Sequence, residues 1–196
     1  MIIEKFFPTH VYAKDVNLNN QLMTKQIIDW SNKDSGVSKT NHKGWHSTTD
    51  MHLKSEYSPL FNELFKMQNE IYEYEHLDRV PKLGNMWANI NPPGGSNRPH
   101  IHPNALFSGV YYVKCNSDSG RLKIYDPRPG IQTNMPIRKP GNPGKDLWRE
   151  AYIDPIPGRI IMFPSWLWHS VEENTSTDIR ISVSFNFVQD GFNGKL

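Results

Sequence analysis

The sequence predicts a mainly β protein with flanking helices, a sandwich or barrel, and three observations carry that prediction. From about residue 82 onward, short β-like runs recur: NMWANIN, LFSGVYYVKC, GRLKIYD, GRIIMFP and DIRISVSFNFV. Pro and Gly separate these runs, as closely spaced turns between short strands require. Helical periodicity is confined to the first 80 residues, where it supplies a packing layer rather than the chemical centre.

In chain order, EKFFPTHVYA reads as a strand whose Pro8 marks an edge or a bulge. Over 19–30, Leu22, Ile27, Ile28 and Trp30 give an approximate amphipathic helix that stops at the breaker cluster 32–36. SPLFNELFKMQNEIYEYE is a stronger helix, with Leu60, Leu64, Met67 and Ile71 on one face. Ser58 is its predicted N-cap, Pro59 its first helical position, and Gly84 lies beyond its end. The 196 residues suit a single domain, with 1–80 as the flank and 81–196 as the β core. A Pro/Gly-rich stretch, PRPGIQTNMPIRKPGNPGKDLWRE, inserts a loop over 127–150 whose breakers discourage helix and strand alike. Its five basic and two acidic residues suit either a lid over an anionic or peptide substrate or an ordinary solvated loop.

A net charge of +2 without any block of like charges gives no basic face, so no nucleic-acid partner is expected. Cys115 is the single cysteine and excludes an internal disulfide, which agrees with a reducing, cytoplasmic setting. The chain starts without the apolar core of a signal peptide, and no apolar run reaches the ~18–20 residues of a membrane span.

DIRISVSFNF is the most readable strand. Ile179, Ile181, Val183, Phe185 and Phe187 alternate with Arg180, Ser182, Ser184 and Asn186. The polar face either meets solvent or lines a barrel cavity while the apolar face packs on the helices. RPHIHPNALFSGVYYV raises the question of chemistry. In extended backbone His100 and His102 project the same way, with Cβ atoms roughly 6–7 Å apart, so both rings can converge on one ion. A third histidine, His169 in FPSWLWHSV, opens another predicted strand, and two ligands from one segment with one from a distant strand is a common open-faced metal site.

WANINPPGGSNRPHIHPNALFSGVYYV, GRLKIYDPR and PGRIIMFPSWLWHSVEENTSTDIRISVSFNF together resemble the Fe(II)- and 2-oxoglutarate-dependent oxygenases. That resemblance implies a double-stranded β-helix, the jelly-roll of cupin-like barrels, and hydroxylation of a peptide prolyl residue or small metabolite with Fe(II), 2-oxoglutarate and dioxygen. The family's H-x-D/E…H triad falls on His100, His102 and His169, with His102 where a carboxylate is usual. With His100 pointing away, water, Asn104 or an acidic residue such as Asp126 is the other source of a third ligand, although Asp126 also suits the turn before Pro127. The resemblance puts Arg180, with Ser182 two positions on, at the distal carboxylate of the cosubstrate, which a guanidinium grips in a fork. Tyr112 resembles the family's tyrosine at that carboxylate, or packs in the core. Asn91, with Asn89, offers amide contacts to the cosubstrate or caps the turn over 92–95. Three imidazoles also suit Zn²⁺ with a water whose pKa falls to about 7. Two other readings compete: a cupin-like three-histidine metalloprotein without 2-oxoglutarate, and a metal-free jelly-roll binding or structural protein, for which Arg180 faces solvent and the histidines diverge.

Overall fold

The computed structural model describes residues 1–78, 81–133, 136–141 and 143–189. In chain order the elements are β1 (Tyr12–Asp15), α1 (Asn20–Ser31), β2 (Asn41–His42), β3 (Trp45–His46), α2 (Ser58–Tyr74), β4 (Pro81–Asn91) and β5 (Ser96–His100). There follow β6 (Phe107–Lys114), β7 (Leu122–Tyr125), β8 (Glu150–Ile153), β9 (Arg159–Pro164), β10 (His169–Val171) and β11 (Arg180–Gln189). They form two facing antiparallel sheets, β1-β9-β6-β11-β4-β3 and β2-β5-β10-β7-β8. No helix among the described residues is long and apolar enough to cross a membrane.

The alternation along β11 decides how the layers sort. Ile181, Val183, Phe185 and Phe187 are buried in one cluster with Met23 and Ile27 of α1 and Leu60, Leu64, Met67 and Ile71 of α2. Burial of each such side chain contributes about 1.5–3 kcal/mol, so the larger sheet is held chiefly by its helical layer. Between the sheets lies a second, smaller cluster that includes Val110, Tyr112, Leu122, Ile161 and Phe163. The polar residues of β11 face that inter-sheet space and line a cavity.

Gly109 in SGVYY is a packing requirement. A Cβ there would strike the Phe185 ring and stand 2.5 Å from the Ile161 carbonyl oxygen. Gly109→Ala is therefore expected to cost about 1–3 kcal/mol through overpacking, read as a lower urea midpoint with an unchanged slope.

Several local expectations are corrected. A 3₁₀ turn, Ser55–Tyr57, runs directly into α2, so Tyr57 occupies the cap and Ser58 and Pro59 lie in the first turn. Proline still suits that turn, where its missing N–H has no helical partner. The helix ends at Tyr74 and His76 takes a left-handed φ of 53°, whereas Gly84 lies inside β4. In α1 the Asn19 side chain accepts the Leu22 N–H, and the buried pair is Met23 and Ile27, leaving Leu22 51% exposed. β1 begins at Tyr12, downstream of Pro8, and Phe6 and Phe7 are exposed. The 127–150 stretch holds two short 3₁₀ turns, Ile131–Thr133 and Lys145–Leu147, and its end opens β8.

Candidate metal and cosubstrate site

β5 and β10 are antiparallel neighbours, and their register sets His100 opposite His169. Both rings therefore leave the sheet on the same side. β5 ends at His100, so His102 does not share its strand. It sits in the following turn, where its N–H donates to the Ser165 carbonyl over 3.0 Å. The turn brings the third ring back: one potential ligand nitrogen from each of His100, His102 and His169 lies within 4.8 Å of the others.

The tautomers favour coordination. His100 Nδ1 and His169 Nδ1 each meet a backbone carbonyl, of Arg98 at 2.7 Å and Leu167 at 2.8 Å. As N–H donors there, they leave Nε2 as a bare lone pair facing the cluster. His102 Nε2 lies 3.2 Å from His169 Nε2. Two lone pairs at that distance call for a proton or a cation between them, and metal–nitrogen bonds of about 2.1 Å would put neighbouring donors roughly 3.0–3.4 Å apart. The donor set thus fits a divalent ion. Asp126 is not available for it, because its carboxylate holds Arg128 at 2.7 Å and Arg149 at 3.3 Å across the neck of the loop. Asn104 is exposed at a left-handed turn position, φ 67°.

Burial keeps these imidazoles neutral. It lowers His102 to about 3, with help from His169 and His100, and His169 to about 4, with help from His100; His100 is lowered as well. In the unfolded chain a histidine titrates near 6.5, so at higher pH the two states bind equal protons. Below that, the unfolded chain takes up protons that the fold refuses, and stability falls with pH. The urea midpoint of metal-free protein is accordingly expected to drop between pH 6.5 and 4, with a shallower drop in His102→Ala. A flat midpoint across that window would contradict this electrostatic picture.

Arg180 opens β11 in the same chamber and is 1% exposed. Its Nη1 donates to Ser182 Oγ at 3.0 Å and lies 3.5 Å from Asn91 Oδ1, and its guanidinium sits 5.2 Å from the centroid of the Tyr112 ring. Its Nε has no partner, and no carboxylate pairs with it among the described residues. The Tyr112 hydroxyl, wholly buried, is also without one. Unpaired buried groups of this kind are costly and suit an anion that arrives later. Asn91 does not cap the turn that follows it. The 92–95 turn is closed by the Gly95 N–H on the Pro92 carbonyl, and the Asn91 side chain engages Asn97 and Arg180.

The chamber has a volume of about 360 Å³, within the range of small-molecule sites. Its wall includes Lys39, Thr40, His46 and Thr49, so the N-terminal flank contributes to the chemical centre after all. No residue of 127–150 lines it among those described, which removes support for the loop as a lid. His46 carried no readable signal, because no spacing links it to the distant triad.

A family model described as "Putative 2OG-Fe(II) oxygenase" matches residues 85–186, more than half of the chain, a span that holds the triad and Arg180. No curated protein matches the chain by sequence. Among solved structures, a Pseudomonas putida prolyl-4-hydroxylase superposes with a TM-score of 0.63 at 15% identity, over 93% of this chain and 94% of that one. A Trichoplax adhaerens prolyl hydroxylase in complex with a hypoxia-inducible-factor peptide gives 0.65 at 12% identity, over 94% and 86%. The α-ketoglutarate-dependent epimerase SnoN of nogalamycin biosynthesis gives 0.66 at 12% identity, over 92% and 76%. At these identities the likeness is one of fold, the double-stranded β-helix.

Proposed function

This chain belongs to the 2OG-Fe(II) oxygenase family, and from that premise we propose that it hydroxylates a peptide substrate, with a prolyl residue the first candidate. It is an oxygenase that uses Fe(II), 2-oxoglutarate and dioxygen. The observation that carries the reading is one chamber holding three converging imidazoles and one buried guanidinium that no carboxylate pairs among the described residues. His100, His102 and His169 hold the iron. Arg180 forks onto the distal carboxylate of 2-oxoglutarate, with the Ser182 and Tyr112 hydroxyls completing the cradle and Asn91 steadying the guanidinium. With iron and cosubstrate bound, the centre would split dioxygen, one oxygen atom entering succinate as 2-oxoglutarate loses carbon dioxide and the other entering a substrate C–H bond. The protein's share is orientation and a dry wall: Leu122, Phe163 and Val110 exclude water around the reacting groups.

The metal-free alternative requires diverging histidines and a solvent-facing Arg180, and the structure has neither. A three-histidine metalloprotein without 2-oxoglutarate leaves the buried cation without a purpose. Peptide rather than metabolite is supported by two of the similar folds being prolyl hydroxylases. The single cysteine, the half-buried Cys115 whose thiol desolvation raises to about 11, suits a cytoplasmic setting. The test is iron-dependent conversion of 2-oxoglutarate to succinate with prolyl peptides present, followed by mass spectrometry. Succinate formation with a peptide one oxygen heavier is expected; succinate without any oxidised peptide would remove the peptide assignment and keep the oxygenase.

A further inference from the structure

Along β11 from Arg180 the chamber wall carries further polar groups with unspent hydrogen-bonding capacity. Asn186 lies six residues along β11 from Arg180, roughly 20 Å at strand rise, and pairs with Asn85 of β4 and Ser108 of β6. The hydrogen bonds among these three run in one direction. Ser108 Oγ donates to Asn186 Oδ1 at 2.7 Å, and Asn186 Nδ2 donates to Asn85 Oδ1 at 2.7 Å, so the Asn85 amide N–H groups find no acceptor among the described residues. Further along β4, Asn89 pairs with Ser182 on the Arg180 side of this array, and its Nδ2 donates to Ser184 Oγ at 3.1 Å. Asn89 Oδ1 is then a buried acceptor with no partner on a side chain 5% exposed, and the Ser184 hydroxyl still has a proton to give.

His46 completes the array. Its Nδ1–H donates to the Ser47 carbonyl at 2.6 Å, so Nε2 is an acceptor, and its ring stacks on Trp87 at 5.4 Å and 11°. Trp87 in turn lies 5.8 Å from His102, which places the array beside the metal centre. Lys39 and Arg180 are the Lys and Arg side chains on this wall among the described residues, and no carboxylate lines it. Apart from these two cations, the wall offers its donors and acceptors in neutral groups.

We infer that Asn85, Asn89, Ser184 and His46 form a substrate subsite that takes a neutral amide, either a peptide bond or a carboxamide. A carboxylate brings acceptors only and would leave Asn89 Oδ1 and His46 Nε2 unmet; an ammonium brings donors only and would leave the Asn85 N–H groups unmet. An amide carries one of each, side by side, and satisfies both sets. The inference rests on the oxygenase reading of the chamber and deepens it.

The test uses full-length protein loaded with Zn²⁺ and 2-oxoglutarate. The probes are a panel of N-acetyl amino acid N-methylamides, the matched O-acetyl 2-hydroxy acid methyl esters, in which both amides are replaced by esters, and ribitol as a neutral polyol, with binding followed by ligand-observed NMR. At least one amide is expected to bind about tenfold or more tightly than its ester and than ribitol, and Asn85→Ala and Ser184→Ala are expected to narrow that gap. Amides that bind no better than esters or ribitol overturn the inference, and this wild-type comparison decides even where a variant fails to fold. The visible absorption of the anaerobic Fe(II)–2-oxoglutarate complex is recorded on the same preparation. Its presence beside indifferent amides sinks the amide subsite alone, whereas its absence sinks the oxygenase reading and the subsite with it.

Discussion

Arg180→Met is expected to make the ligand-free protein more stable and at the same time to cut its affinity for 2-oxoglutarate by about 30- to 1,000-fold. A buried guanidinium with an unpaired Nε and no carboxylate among the described residues is a standing cost to the fold. Methionine, shorter but apolar, fills much of the space without it, and a gain of about 1 kcal/mol follows. The same change removes a charge-assisted fork on a desolvated carboxylate, a loss of about 2–4 kcal/mol in binding. Two melting curves read the trade. Wild type should melt higher when 2-oxoglutarate is added, while Arg180→Met should start higher and stay there. Arg180→Lys keeps the charge and loses the fork, so it should fall between them. A variant that is destabilised yet still shifted by 2-oxoglutarate would assign Arg180 to structure alone.

His169→Ala carries the second large effect. It deletes one of three ligand nitrogens and the ring that the Leu167 carbonyl orients. Disturbing only the partner of a ligating histidine commonly weakens metal binding 10- to 100-fold, so loss of the ligand itself should exceed about 100-fold for Fe(II) and abolish succinate formation. His102→Asp is the informative companion. It converts a neutral donor set to two imidazoles and a carboxylate, and should retain iron that His169→Ala loses. Equal iron binding in wild type and His169→Ala, by equilibrium dialysis, would place the metal elsewhere.

What could be read from the sequence follows from how local each determinant is. β11 was legible because a period of two separates five apolar from four polar side chains, and either face assignment yields the same strand. Which face met the cavity was settled only by the helices packing on the other side. The FPSWLWHSV histidine was legible as a strand start, and β10 does begin there. The convergence of His100 and His102 was anticipated from extended backbone, but its cause is different: β5 stops at His100, and the His102 N–H on the Ser165 carbonyl closes the turn. That contact joins residues 63 apart and leaves no local trace. β5 itself, SNRPH, was hidden by polar composition, and β8 by the proline- and glycine-rich loop before it. His46, Asn85 and Asn186 acquire their setting from cross-strand register, β4 against β3 and β11, which no single segment encodes.

Anaerobic titration of the protein with Fe(II) and then 2-oxoglutarate tests most directly the meeting of iron and 2-oxoglutarate in this one chamber. A visible metal-to-ligand charge-transfer band that saturates at one equivalent each is predicted, with the band lost in His169→Ala and requiring far more 2-oxoglutarate in Arg180→Met. Wild-type protein that binds Fe(II) and shows no such band at saturating 2-oxoglutarate would contradict it.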